Sequence, residues 1–142
     1  MNILIVEARY HPAISDALTD GATKALQQGG ALFRRVSVPG ALEIPAAIAL
    51  GARSDQFAGY VALGSLVRTG ALHFDLITQN VFYGLTRLSV DHGLCIGNGI
   101  VVASTEDSAL QMAMKEERDV GGEAARACLA MVVLAQRLGE QT

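Results

Sequence analysis

The segment that decides the fold runs Tyr60-Val61-Ala62-Leu63-Gly64-Ser65-Leu66-Val67-Arg68-Thr69-Gly70-Ala71-Leu72-His73-Phe74-Asp75. Its first half is apolar and almost uncharged, which is typical of a strand covered on both faces. Its second half turns polar and glycine-containing, and helical periodicity follows. A buried strand that leads through a polar loop into a helix is a unit of a parallel α/β sheet. Ligands bind at the carboxyl ends of such strands.

The rest of the chain repeats this alternation of strand and helix. We predict strands at 2–8, 32–38, 57–67 and 95–103, the last interrupted by Gly97-Asn98-Gly99. Helices are predicted over about 12–28, from residue 41 to 50, along the apolar spacing from 74 to 88, from 104 toward Lys115 and Arg118, and over about 123–138. Gly121-Gly122 is predicted to separate the last two helices, and 91–93 to form a turn.

The four strands are predicted to form one parallel sheet with helices on both faces, in a single domain covering residues 1–142. Leu32–Val38 alternates between charged and apolar residues, unlike the other strands, so we place it at an edge. Right-handed crossovers then favour the strand order 2-1-3-4.

Composition excludes several classes of protein. The net charge of −3 gives no electrostatic basis for binding nucleic acid or an anionic membrane. No apolar run approaches the roughly 18 residues of a membrane span, and the N-terminal run is expected to be a strand rather than a signal peptide. Cys95 and Cys128 lack metal-site spacing and are expected to be reduced core residues of a cytoplasmic protein.

In this architecture the loops after the four strands meet at one rim. They carry a set of groups suited to a flat polar heterocycle and an anion rather than a metal. His73 is a candidate proton-transfer group or a surface residue, and Glu43 accepts hydrogen bonds from a ligand or is a first-turn helix acid. Tyr10 stacks on a ring or packs on the first helix, and Arg68 binds phosphate or pairs with Asp75. His11 and His92 lie in turns, where a structural role is favoured.

These motifs together resemble the 6,7-dimethyl-8-ribityllumazine synthases. The resemblance is carried, in matching order and spacing, by five segments: Glu7-Ala8-Arg9-Tyr10, Val38-Pro39-Gly40-Ala41-Leu42-Glu43-Ile44-Pro45, Leu63-Gly64-Ser65-Leu66-Val67-Arg68 with His73-Phe74-Asp75, Gly97-Asn98-Gly99-Ile100, and Gly121-Gly122-Glu123-Ala124-Ala125. It covers almost the whole chain and implies a three-layer, flavodoxin-like fold.

The resemblance implies a condensation of 5-amino-6-(D-ribitylamino)uracil with 3,4-dihydroxy-2-butanone 4-phosphate, the penultimate step of riboflavin biosynthesis. Phosphate and water are released, and no cofactor or metal is needed. His73 is the implied acid–base group. The implied substrate-binding positions are the ring-stacking Tyr10, the hydroxyl-binding Glu43, the phosphate-binding pair Gly70 and Ala71, and Ala41, Leu42, Ser65, Leu66, Val67 and Asn98, of which Asn98 is donated by a neighbouring subunit.

The chain departs from the family pattern around the phosphate. Residues 68–73 read Arg-Thr-Gly-Ala-Leu-His where the family has Arg-Gly-x-Thr-x-His, and a family arginine falls near Met112. We expect Lys115 to substitute for that arginine and phosphate binding to be weak. The alternative hypothesis is a weakly active or inactive paralogue that binds a flavin or lumazine or serves in assembly.

The resemblance also implies partners. The active site of the family lies between subunits, so a homopentamer is expected, and some members assemble a 60-subunit shell. The connection 116–122 looks shorter than in shell-forming members, which favours an isolated pentamer. Riboflavin synthase is a further partner that the resemblance suggests.

Overall fold

The computed structural model describes residues 1–68 and 71–140, and every structural statement below concerns these residues. The strands are β1 (Asn2–Ala8), β2 (Leu32–Val38), β3 (Gly59–Val67) and β4 (Ile96–Ala103). The helices are α1 (Pro12–Gln28), α2 (Ile44–Arg53), α3 (Ala71–His92), α4 (Glu106–Ala113) and α5 (Val120–Glu140), with a 3-10 turn at Ala41–Glu43 before α2. None of the described helices is long and apolar enough to cross a membrane.

The four strands form one parallel sheet in the order β2-β1-β3-β4, which confirms the predicted order and fold class. β1 and β3 are buried along most of their length, whereas β2 is half-exposed at its edge. The different burial explains why β2 alternates in polarity and β1 does not.

Helices cover both faces of the sheet. One core joins Ile3, Ile5 and Val61 to the apolar stripes of α1, α4 and α5. The second core joins Leu4, Val6 and Tyr60 to α2 and α3. Because successive strand residues point to opposite faces, a one-residue change of register would exchange the two cores.

The glycine pairs were predicted to interrupt elements, and this prediction is wrong at both places. Gly97 lies inside a continuous β4, and Gly121 and Gly122 lie in the first turn of α5. A Cβ at Gly97 would collide with the Ala124 carbonyl oxygen, and one at Gly121 would collide with the backbone of Leu18. These glycines therefore permit close approach of backbones rather than ending elements.

Several boundaries also differ from the prediction. α2 starts at Ile44 after the 3-10 turn and continues to Arg53, and α3 continues to His92 before Gly93 adopts φ +65°. α4 ends at Ala113, so the predicted extension to Lys115 and Arg118 is wrong. The helix start at Thr105 is confirmed, because its hydroxyl accepts a hydrogen bond from the Ser108 amide at 3.1 Å.

The apolar residues of α5 are buried mainly in its first half. Ala124, Cys128 and Val132 pack into the core. Met131, Leu134 and Leu138 are 43–54% exposed in the single chain. They line an open groove with Leu94 and Ile96 near the start of β4.

Candidate active site

A pocket of roughly 300 Å³ opens at the carboxyl end of the sheet, at the low end of the range for small-molecule sites. The loops after β1, β2 and β3 and the first turns of α3 meet there. Its lining is mostly apolar, with two imidazoles, one phenol and one serine as its polar side chains. The lining residues are Ala8, Tyr10, His11, Gly40, Ala41, Leu42, Ser65, Leu66, Val67, His73 and Ile77. The prediction that strand-end loops converge is confirmed for three of the four loops.

Tyr10 offers a ring to the pocket. It follows β1 directly, its side chain is 76% exposed, and its ring contacts His11 edge-on at 4.9 Å between centroids. An exposed ring at a pocket mouth has a free face on which a planar ligand can stack, and such contacts contribute about 0.5–1.5 kcal/mol beyond burial.

The loop after β2 forms the opposite wall. Ala41 is buried against the second core, whereas Leu42 is 53% exposed at the pocket. Glu43 is exposed and does not line the pocket with its side chain, but its Oε1 lies 3.5 Å from the place where a Cβ on Gly40 would stand. The carboxylate is therefore at the rim, within reach of the polar end of a ligand larger than the pocket.

The end of β3 supplies a continuous edge of Ser65, Leu66 and Val67. His73 follows in the first turn of α3 and also lines the pocket. Arg68 lies nearby, where its Nη2 is 3.5 Å from Asp75 and its guanidinium stacks 4.7 Å from the Phe74 ring centroid. These contacts support the ion-pair interpretation of Arg68 over a phosphate-binding one.

His11 was interpreted as a turn residue, and the structure instead places it in the pocket wall. Its Nδ1 is 2.9 Å from the Ser65 hydroxyl, and its Nε2 is 3.7 Å from Glu106 at the start of α4. Its position directly after a buried strand, on the same rim as Tyr10, was the available signal in the sequence.

Besides Glu43 at the rim, four predicted positions are not part of the described pocket lining. Asn98 is exposed on β4, where its side chain accepts a hydrogen bond from the Ile100 amide at 3.0 Å. Lys115 lies beyond α4, with its ammonium 3.9 Å from Asp20 on α1. Gly70 lies outside the described residues, and Ala71 begins α3 but its side chain is not described.

A buried carboxylate lies next to the pocket at the end of β1. Glu7 is 3% exposed and accepts hydrogen bonds from Arg35 at 2.8 Å, from Arg9 at 2.9 Å and from the Thr19 hydroxyl. Burial alone would raise the pKa of Glu7, but the hydrogen bonds from Arg35 and Thr19 and the charge of Arg35 outweigh it and hold the pKa below its ordinary value. The charged cluster fixes the strand end from which Tyr10 and His11 follow.

Fold and pocket together define an α/β protein that binds small molecules at the carboxyl end of a parallel sheet. Within that class, the chain belongs to the 6,7-dimethyl-8-ribityllumazine synthase family, whose sequence profile matches residues 1–136.

Relatives named 6,7-dimethyl-8-ribityllumazine synthase are similar to this chain over nearly its full length. A 6,7-dimethyl-8-ribityllumazine synthase of Sphingopyxis alaskensis is 46% identical over 138 residues, which cover 97% of both chains. A 6,7-dimethyl-8-ribityllumazine synthase 1 of Mesorhizobium japonicum is 43% identical over 99% of this chain and 89% of the relative. One of the same name from Rhizobium meliloti is 44% identical over 99% of this chain and 95% of its own. The predicted family, and with it lumazine synthase function in riboflavin biosynthesis, is confirmed.

Proposed function

We propose that this chain carries out the lumazine synthase condensation in the pocket between Tyr10, Ser65 and His73. The proposal rests on one observation. The loops that carry the family motifs after β1, β2 and β3 converge on one cavity with an apolar wall and a histidine. The reaction joins 5-amino-6-(D-ribitylamino)uracil to 3,4-dihydroxy-2-butanone 4-phosphate. Amine and ketone form an imine with loss of water, phosphate leaves, and the ring closes.

Binding roles follow from position in the pocket. Tyr10 stacks on the pyrimidine, and Ser65, Leu66 and Val67 contact its edge. Ala41 and Leu42 line the side of the pocket from which the ribityl chain extends. Glu43 accepts hydrogen bonds from the ribityl hydroxyls at the rim. Holding two reactants in register can lower the barrier by roughly 7–11 kcal/mol without any cofactor.

His73 is proposed as the proton-transfer group. It lies in the first turn of α3 and lines the same pocket as Tyr10, and an imidazole can exchange protons near neutral pH. Gly70 and Ala71, which precede it in the sequence, are proposed to hold the phosphate through their backbone amides.

The test is a steady-state assay of the purified chain with both substrates, following lumazine formation spectroscopically. Turnover that requires both substrates and saturates with each supports the proposal. Absence of turnover by a folded, assembled sample contradicts it.

A second candidate is a paralogue that binds a lumazine or flavin with little catalysis. Among the described residues, no lysine or arginine lines the pocket, and the resemblance puts a family arginine near Met112. Titration with riboflavin, followed by its fluorescence, separates the candidates. Tight binding together with negligible turnover supports the paralogue, and normal turnover without flavin binding removes it.

We also propose that the working unit is a homopentamer rather than a 60-subunit shell. The apolar groove lined by Met131, Leu134 and Leu138 supports a subunit contact, and the exposed Asn98 is proposed to reach the pocket of a neighbouring subunit. Lys115 would contact the substrate phosphate across the same interface, and it would give up its contact with Asp20 to do so. Sedimentation velocity should give a particle mass of five times 14.9 kDa. Leu134→Ser should lower the fraction of the protein that sediments as this pentamer.

The cellular setting is proposed from the family alone. We place the enzyme in the cytoplasm, with riboflavin synthase as the partner that receives its product. Co-sedimentation of the two purified enzymes, compared with each enzyme alone, tests the partnership.

A further inference from the structure

Three side chains from separate elements make a chain of polar contacts that ends at the pocket. Glu106 begins α4, His11 precedes α1, and Ser65 lies near the end of β3. The Glu106 Oε1 is 3.7 Å from His11 Nε2, and His11 Nδ1 is 2.9 Å from the Ser65 Oγ. No role in the condensation as derived above uses Glu106 or His11.

The contacts favour one of the two ring nitrogens of His11 as the one that carries the hydrogen. In a neutral imidazole one nitrogen donates and the other accepts. A carboxylate beside Nε2 repels a lone pair there and favours a proton, so Nδ1 is the acceptor. The Ser65 hydroxyl then donates to Nδ1.

The direction of the Ser65 hydroxyl matters because Ser65 lines the pocket while being only 7% exposed. Once its hydrogen is given to His11, the lone pairs of Oγ remain for a ligand. A buried acceptor left without a donor is unfavourable, so the site selects a ligand edge that carries an N–H group.

We propose that Glu106 and His11 are positioning residues that orient the Ser65 hydroxyl and make it an acceptor for a ring or exocyclic N–H of the pyrimidine substrate. The identity of this ligand rests on the proposed function, whereas the orientation of the hydroxyl rests on the geometry alone. His11 acts through Ser65 and not on the reacting atoms.

The His11 ring is held for this task by its surroundings. Its side chain is only 18% exposed, and the Tyr10 ring packs edge-on against it. It stands at the N-cap of α1 but makes no side-chain capping bond, so its nitrogens serve Ser65 and Glu106 instead. Glu106 is 72% exposed, so solvent screens its charge. Its effect on pyrimidine binding is therefore expected to be smaller than that of His11.

The first test reads the tautomer directly, by nitrogen NMR of selectively labelled histidine at slightly alkaline pH, with His11→Phe identifying the signal. The expected result is the Nε2–H tautomer in the wild type and a shifted Nδ1 resonance in Ser65→Ala. An Nδ1–H tautomer in the wild type overturns the proposal, whether or not the chain makes lumazine.

The second test is a double-mutant cycle in steady-state kinetics. Ser65→Ala and His11→Phe should each raise the KM for the pyrimidine about fivefold, the loss of one hydrogen bond, with little change in the KM for the four-carbon phosphate. The double variant should be no worse than Ser65→Ala alone, because His11 acts through Ser65. Multiplying effects, or equal effects on both substrates, overturn the proposal.

The matched control uses the neighbouring acid on α4. Glu106→Gln should raise the pyrimidine KM about twofold, and Asp107→Asn, also in the first turn, should leave it unchanged. If the wild type makes no lumazine, the same variants are compared by calorimetric binding of an unreactive ribitylaminopyrimidine. Equal affinity of wild type and Ser65→Ala in that measurement overturns the proposal.

Discussion

The contact that α5 makes with β4 and with α1 differs in composition from the rim of the pocket. At the contact, small residues bring backbones together, so that Gly97 faces Ala124 and Gly121 faces Leu18 without room for a Cβ. At the rim, the loops carry large or polar side chains that are largely exposed, among them Tyr10, Leu42 and Glu43. Folding and activity therefore depend on separate residues, although both regions are built around one sheet.

The largest effect on stability is expected for Gly97→Ala. The added methyl must displace the Ala124 carbonyl and the Cys128 side chain, so we expect a loss of more than about 4 kcal/mol and little soluble, folded protein. Gly139→Ala, on the same helix as Ala124 but with open space around the added Cβ, should change stability by less than about 1 kcal/mol. Urea unfolding of both variants is the measurement, and a wild-type midpoint for Gly97→Ala would contradict the account.

His73→Ala should impair catalysis without changing stability or assembly. We expect kcat to fall by about 10²–10⁴-fold, the usual contribution of an acid–base group, while the melting temperature and sedimentation remain those of the wild type. His92→Ala, at the other end of α3 and remote from the pocket, should leave kcat unchanged. An equal loss in both variants would mean that α3, rather than the His73 imidazole, was disturbed.

Glu7 lies where the two regions meet, because it is buried under α1 and precedes the rim residues. Glu7→Gln leaves Arg35 without its carboxylate partner and leaves Arg9 paired only with Asp16. We expect a loss of about 2–3 kcal/mol, reduced by the partial exposure of Arg35. Chemical unfolding at neutral pH measures it. Glu117→Gln, in the exposed turn after α4, should be within about 0.5 kcal/mol of the wild type.

The same carboxylate gives a pH dependence with a definite sign. The pKa of Glu7 is lower in the folded chain than its ordinary value of 4.5, so the unfolded chain binds the proton more readily. Its stabilisation is fully present above that ordinary value and is lost as the pH falls through the lower folded pKa. The stabilities of wild type and Glu7→Gln should therefore converge in acid. Parallel curves down to strongly acidic pH would contradict the pairing.

Sequence reasoning was most successful where local pattern and packing agree. The apolar run of β1 and the alternation of β2 predicted both their burial and their positions in the sheet. It failed at Gly97 and Gly121, because a glycine that ends an element and one that admits a neighbouring backbone look alike in one dimension. The contact of α5 with β4 is long-range and leaves no periodic signal.

The site was predictable only in part for the same reason. Tyr10, Ser65 and His73 lie in motifs with local spacing, and the structure brings them to one pocket. The contacts of His11 reach 54 residues along the chain to Ser65 and further to Glu106, and no spacing in the sequence encodes them. The exposed half of α5 likewise shows an apolar face in the sequence but not what packs against it.

The smallest effect on stability is expected at the N-cap of α4, which lies next to the rim of the pocket. Thr105→Ala removes the hydrogen bond to the Ser108 amide and should cost about 1 kcal/mol in urea unfolding. Ser104→Ala, one residue earlier and exposed, lacks that capping role and should be within about 0.5 kcal/mol of the wild type. Because the cap fixes the backbone from which Glu106 extends, Thr105→Ala should also raise the pyrimidine KM slightly, by no more than Glu106→Gln does. A KM effect larger than that of Glu106→Gln would show that the rim and the packed contact are not independent.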